Sequence, residues 1–141
     1  MKSTIRCIVH PTEEIQRIEK AIENILGPIT LSATKFNEFI EIYSSSITGK
    51  ANFALLRQLV HDKRILAAVR VRLLKNLDEF TTFMYFDKQA AYTGKLRLID
   101  NSQENPPLGS IEIRFEFESE SQFEEFLDWF SPRTKDGRII A

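Results

Sequence analysis

Reactive side chains are few in this sequence, and their spacing does not assemble them. Cys7 is the single cysteine, and His10 lies three residues further on. An odd separation on a strand points two side chains to opposite faces, so this pair does not form a nucleophile and its base. The two histidines, His10 and His61, belong to no ligand motif. No second cysteine completes a metal site, and no glycine-rich loop with a lysine is present to cradle a phosphate. Glu124 and Glu125 are adjacent on a helical segment and diverge, unlike a general acid and base that share a substrate. These residues predict no enzyme, no metal and no cofactor, and no small-molecule substrate is evident.

What the chain does concentrate is charge. From Lys50 to Lys75 seven cations stand against Asp62 alone, and from Ile111 to Ser131 seven carboxylates stand against Arg114 alone, although the formal net charge is only −1. A cationic array neutralises phosphates, and phosphate contacts supply most non-specific nucleic-acid affinity. At 100° per residue Arg64, Val71 and Lys75 fall on one stripe of a helix, while Lys63 and Arg70 flank its apolar face. The competing readings are a solvated helix face, or pairing of this basic helix with the acidic C-terminal region, within the fold or across a homodimer.

Two further segments carry candidate contacts. The turn Lys88-Gln89-Ala90-Ala91 has two small residues that let a backbone approach closely, with Lys95 and Arg97 following; equally, the alanines make room for a packing helix. Arg133 and Lys135 belong to a cationic tail, which also reads as a turn chosen for Asp136-Gly137 chemistry. The sequence has 11 Phe, 3 Tyr and 1 Trp, most of them at core-facing positions. Glu112, Arg114, Glu116 and Glu118 line the open face of their strand, which repels RNA and offers no stacking platform there. Trp129 lies off the main stripe of its helix and is expected to close the edge of the core.

The elements that hold these residues follow from hydrophobic period. Ile5, Cys7 and Val9 alternate as a strand. Pro11 stands where a first helical turn tolerates proline, and Ile15, Ile18, Ile22 and Ile25 continue at helical spacing until Gly27 and Pro28. Ile29 and Leu31, then Phe39 to Ile47, predict a hairpin that turns near Asn37. A long helical region after Gly49 places Phe53, Leu56 and Val60 on one face and Ile65, Leu66, Val69 and Leu73 on another, with a break at His61 and Asp62. Phe80, Thr82, Met84 and Phe86 predict a strand, and so does Lys95 to Ile99; Asp100 to Gly109, with Pro106 and Pro107, predicts a loop. Ile111, Ile113, Phe115 and Phe117 alternate with charged residues, so one sheet face is buried and the other wet. Ser121 and Glu124 make a capping-box pattern for a last helix built on Phe123, Phe126, Leu127 and Phe130, which Pro132 ends.

These elements predict an α+β fold, a single domain over residues 1–141, with a mixed or antiparallel sheet and helices packed on one face. The length of 141 residues and 43% hydrophobic content suffice for one core without disulfides or metals. No apolar run approaches the roughly 20 residues of a membrane span. The segment Met1 to His10 is too short and polar for a signal peptide, so a cytoplasmic location is expected.

Three spaced motifs occur in order: Lys88-Gln89-Ala90-Ala91 with Gly94, Pro107-Leu108-Gly109 before Ile111, and Asp128-Trp129 followed by Pro132, Thr134, Lys135, Asp136 and Gly137. With Pro11-Thr12-Glu13, Lys63-Arg64-Ile65-Leu66 and Arg70, they make the chain resemble, over nearly its whole length, a family of small archaeal proteins predicted to bind RNA. The resemblance implies a fold similar to that of the large-subunit ribosomal protein that contacts 5S RNA. One position departs from the family: Ala67 stands where an aspartate is common, so a carboxylate pairing there does not carry over. The resulting expectation is an RNA-binding accessory protein that reads shape and phosphate charge through Lys63, Arg64, Arg70, Lys75, Lys88, Gln89, Lys95, Arg133 and Lys135. The competitor is a protein-interaction module or homodimer that sets the basic helix against an acidic partner surface.

Overall fold

A computed structural model describes residues 1–36, 39–43, 47–99, 109–135 and 138–139. The turn expected near Asn37, most of the loop from Asp100, and Asp136-Gly137 lie outside the described residues. The chain opens with β1 (Lys2–Val9) and α1 (Ile15–Leu26), then β2 (Ser32–Phe36), β3 (Phe39–Tyr43) and the short β4 (Ile47–Thr48). A single 3₁₀ turn, Ala51–Phe53, leads into α2 (Ala54–Asp62) and α3 (Leu66–Lys75). β5 (Thr81–Asp87), α4 (Lys88–Tyr92), β6 (Ser110–Glu116) and α5 (Glu120–Phe130) follow, and β7 (Thr134–Lys135) pairs with β8 (Arg138–Ile139).

The main sheet is antiparallel throughout, in the order β2-β3-β1-β6-β5, with β4 beside the start of β1. Its register aligns the alternating apolar sets. Met84 faces Ile113, which faces Ile5; Phe86, Ile111, Cys7 and Ile42 form the next row. All of these are buried, as are Ile18, Ile22 and Ile25 of α1, Leu56 and Val60 of α2, Val69 and Leu73 of α3, and Phe123, Phe126, Leu127 and Phe130 of α5. The helices therefore cover one sheet face, as the alternation predicts. Phe115 sits at the centre, its ring 5.1 Å from Phe53 and 4.7 Å from Phe126.

Several boundaries differ from the sequence reading. Pro11 is not in the first turn of α1 but at the second position of a β-turn, closed by the Glu13 N–H donating to the His10 carbonyl at 2.9 Å. Ile29 and Leu31 precede β2 and pack against the core from outside the sheet. Arg64 has φ 58° in the connector between α2 and α3, so it is not helical and shares no helical stripe with Lys75. Lys88-Gln89-Ala90-Ala91 is not a bare turn but the body of α4, whose first N–H groups are capped by the Asp87 carboxylate. Residues 95–99 form no strand beyond the bridge from Leu98 to Phe86. Leu96 and Leu98 still pack against the core. The N-cap of α5 lies two residues earlier than expected: Ser119 Oγ accepts from the Gln122 N–H at 3.1 Å, and the Gln122 side chain reaches back to accept from the N–H of Glu118, the residue before the cap, at 2.8 Å.

Candidate RNA-contacting surface

The basic region divides into cations that hold the fold and cations that face outward. Arg57 of α2 donates through Nε to the Trp129 carbonyl at 2.6 Å, and Arg70 of α3 donates to the Ser131 carbonyl at 3.0 Å and to the Asp128 carboxylate at 2.9 Å. Both guanidiniums thus satisfy carbonyls at the C-terminal end of α5, where the helix dipole is negative. Only 15% of the Arg70 side chain is exposed, so Arg70 is not an open phosphate contact. Arg70 makes the competing basic-to-acidic pairing inside the fold in place of the expected RNA contact, because α3 and the end of α5 are neighbours.

That docking builds a corner around one indole. Lys50 Nζ and the Arg57 guanidinium each lie 5.2 Å from the centroid of the Trp129 ring, which is half-buried at the edge of the core beside Phe126 and Phe130. Arg133 and Lys135, both exposed, follow two and four residues after Ser131. Lys63 and Arg64, also exposed, follow the C-terminal end of α2, six and seven residues beyond Arg57 and about 10 Å along the helix axis from it. Lys50, Lys63, Arg64, Arg133 and Lys135 form no ion pair with the described residues. Lys75 and Lys95 are exposed as well but do not join this corner. They sit near opposite ends of β5, whose seven residues span roughly 20 Å.

The Lys88 motif works in the interior. Lys88 Nζ donates to the Glu13 carboxylate at 2.8 Å and to the Ile8 carbonyl at 2.7 Å, with side-chain exposures of 2% for Lys88 and 10% for Glu13. Its ammonium is consumed by this pair, so the expected phosphate contact at Lys88 is corrected. Gln89 remains exposed. Ala91 is buried, and Asn24 of α1 donates to the Ala91 and Tyr92 carbonyls at 3.0 and 3.2 Å. The small residues therefore admit a packing helix. Three of the motifs quoted from the sequence converge here, because the Lys88 N–H also reaches the Gly109 carbonyl and a Cβ at Gly109 would lie 4.0 Å from Lys88 Nζ.

Among the other titratable groups, burial is the main influence. It pushes the Cys7 thiol up to about 12, against the opposing pull of Lys88. Burial, then the charge of Arg57, lowers His61 despite Asp62. No group of three metal-ligating side chains exists among the described residues, and no helix among them is long and apolar enough to cross a membrane.

The sequence reading missed the pairing of Trp129 with Lys50 and Arg57, and it missed Phe83 and Tyr85. These last two occupy the open sheet face, their rings 5.5 Å apart, with the Arg114 guanidinium 5.0 Å over Phe83. Their signal was available in the alternation of β5, whose odd-numbered residues must face away from the core. On the same face Glu112 is held by Arg114 at 3.0 Å and lies 4.0 Å from Arg6, so its charge is largely compensated.

A family model described as RNA binding matches residues 3–117. A UPF0201 protein of Aeropyrum pernix is 30% identical over 143 residues, covering 99% of this chain and 91% of that protein. Another, of Sulfurisphaera tokodaii, is 32% identical over 141 residues, covering 96% and 90%. The crystal structure of a UPF0201 protein from Methanococcus jannaschii superimposes with a TM-score of 0.84 at 30% identity, covering the whole of both chains.

Proposed function

We propose that this chain, which belongs to the archaeal UPF0201 family and to the family described as RNA binding, is a non-catalytic accessory protein that contacts structured RNA by shape and phosphate charge. The contact surface is the corner around Trp129, with Lys50, Arg133 and Lys135 at its centre and Lys63 and Arg64 extending it. One observation carries the assignment. Arg57 and Arg70 fasten the end of α5 to α2 and α3, so that Lys50 and Arg57 lie against a half-buried indole and the exposed Arg133 and Lys135 follow the same helix end, while Asp128 is already paired with Arg70. Aromatic faces and guanidiniums suit unpaired bases, and lysines suit phosphates. A likeness to the ribosomal protein that contacts 5S RNA forms part of the same proposal, supported by an antiparallel sheet with helices on one face.

The test is binding of a labelled RNA hairpin across a salt series. Lys50→Glu with Lys135→Glu, both at exposed positions, should leave the fold intact, weaken binding and flatten the salt slope by about two contacts. The proposal fails if the wild-type chain does not associate with structured RNA at low salt, or if the folded double variant binds as well as wild type.

A further inference from the structure

A cavity of about 560 Å³ opens between the start of α1 and α4, away from the Trp129 corner, and Glu13, Arg17, Lys88, Gln89 and Tyr92 contribute to its lining. Its size lies within the range of small-ligand sites. Its charges are already paired: Lys88 with Glu13 at 2.8 Å, and Arg17 with Glu14 at 3.9 Å. Lys88 and Glu13 compensate each other in the interior, and the exposed Arg17 and Glu14, only loosely paired, carry opposite charges, so the lining has no net charge to favour a phosphate or an ammonium. What is left is hydrogen-bonding capacity and an aromatic wall. Glu13 Oε1 accepts from both Lys88 Nζ and the His10 N–H, whereas Oε2 has no hydrogen bond among the described residues. Beside it the Tyr92 ring, 41% exposed, lies under the Arg17 guanidinium at 5.4 Å, and Thr12 and Thr93 add neutral polar groups.

A neutral, planar ligand with adjacent donors fits this combination. We infer that the cavity takes a guanine base: its ring packs against Tyr92 and Arg17, and its edge of adjacent imino and amino N–H groups faces the Glu13 carboxylate, one of them donating to the free oxygen. Uracil is disfavoured, because it carries one imino donor flanked by two carbonyls that the carboxylate repels. Recognition of a splayed base by an aromatic or guanidinium face and a Watson–Crick edge is the usual route to sequence preference in single-stranded RNA. The inference rests on the RNA-binding reading for the strand that delivers the base; a free guanine nucleotide is the other source of the same chemistry.

Seven-nucleotide uridine strands with a central guanine, adenine, cytosine or uracil distinguish these cases, together with guanosine monophosphate alone. The central-guanine strand should bind about tenfold or more tightly than the all-uridine strand. Tyr92→Ala, at an exposed position, should abolish that preference. Glu13→Gln, which presents an amide N–H₂, should shift preference toward uracil if it folds. Guanosine monophosphate bound by wild type and lost in Tyr92→Ala supports the cavity with the free nucleotide as its ligand. Equal binding of all four strands, unaffected by Tyr92→Ala and with no binding of the monophosphate, overturns the guanine site while leaving RNA contact at Trp129 standing. If no RNA binds, hairpin included, the RNA-binding reading falls, and guanosine monophosphate alone then decides the cavity.

Discussion

Replacing Lys88 by methionine tests whether that residue belongs to the interior or to the RNA surface. Methionine keeps much of the side-chain volume but removes the ammonium, and so leaves the Glu13 carboxylate, 10% exposed, with only the His10 N–H as partner, and the Ile8 carbonyl without its side-chain donor. Removing one member of a buried ion pair costs roughly 3–5 kcal/mol, because the remaining charge stays desolvated. In a chain of this length that corresponds to a fall in Tm of roughly 10–15 °C. Adding Glu13→Gln removes the stranded charge while its amide oxygen still accepts from His10, so Lys88→Met with Glu13→Gln should be more stable than Lys88→Met alone. Urea unfolding of the wild type, both single variants and the double variant gives the coupling directly. A loss below about 1 kcal/mol in Lys88→Met, or a double variant no more stable than Lys88→Met, would refute the buried pair. In the folded variant the salt slope of RNA binding should be unchanged, since Lys88 Nζ contacts no phosphate.

Two other predictions address the fold. Ser119→Ala should cost about 1 kcal/mol through loss of the α5 cap, whereas Ser121→Ala should change stability by less than about 0.5 kcal/mol; the same unfolding assay separates them. Cys7 should resist a thiol reagent at pH 8 in the native state and react once unfolded. Its folded-state value lies near 12 against 9.0 for a free thiol, so the folded chain binds more protons in between, and stability should decline as pH rises from 9 toward 12. His61 acts at the other end of the scale. Its lowered value means that the unfolded chain takes up protons first, so its contribution is present above pH 6.5 and is lost as pH falls below that.

The architecture was legible because burial imposes period. The buried rows through Ile5, Cys7, Met84, Ile111, Ile113 and Phe115, and the stripes of α1 and α5, are the sets that alternation and helical spacing select. Boundaries were less legible where a local hydrogen bond competes with the pattern. Ser119 rather than Ser121 caps α5 because its side chain meets the Gln122 N–H, and α4 forms within a short segment because Asp87 caps it. The site was legible only as composition. The sequence shows that cations cluster between Lys50 and Lys75, but it does not show that Arg57 and Arg70 are spent on the carbonyls of Trp129 and Ser131, about 60 to 70 residues away. The Lys88 partnership with Glu13 spans a comparable distance along the chain. Such pairings depend on tertiary packing and leave no local period.

Trp129 is the only tryptophan of the chain, so its emission reports on the proposed contact without a label. The most direct measurement is a titration of the wild-type chain with a structured RNA hairpin at salt concentrations from about 50 to 200 mM, following Trp129 fluorescence and RNA anisotropy in the same samples. RNA contact at this corner predicts a saturable change in Trp129 emission whose midpoint matches the anisotropy and moves to weaker affinity with each increase in salt. RNA binding that leaves Trp129 emission unchanged, binding that does not respond to salt, or no binding at the lowest salt would each contradict it.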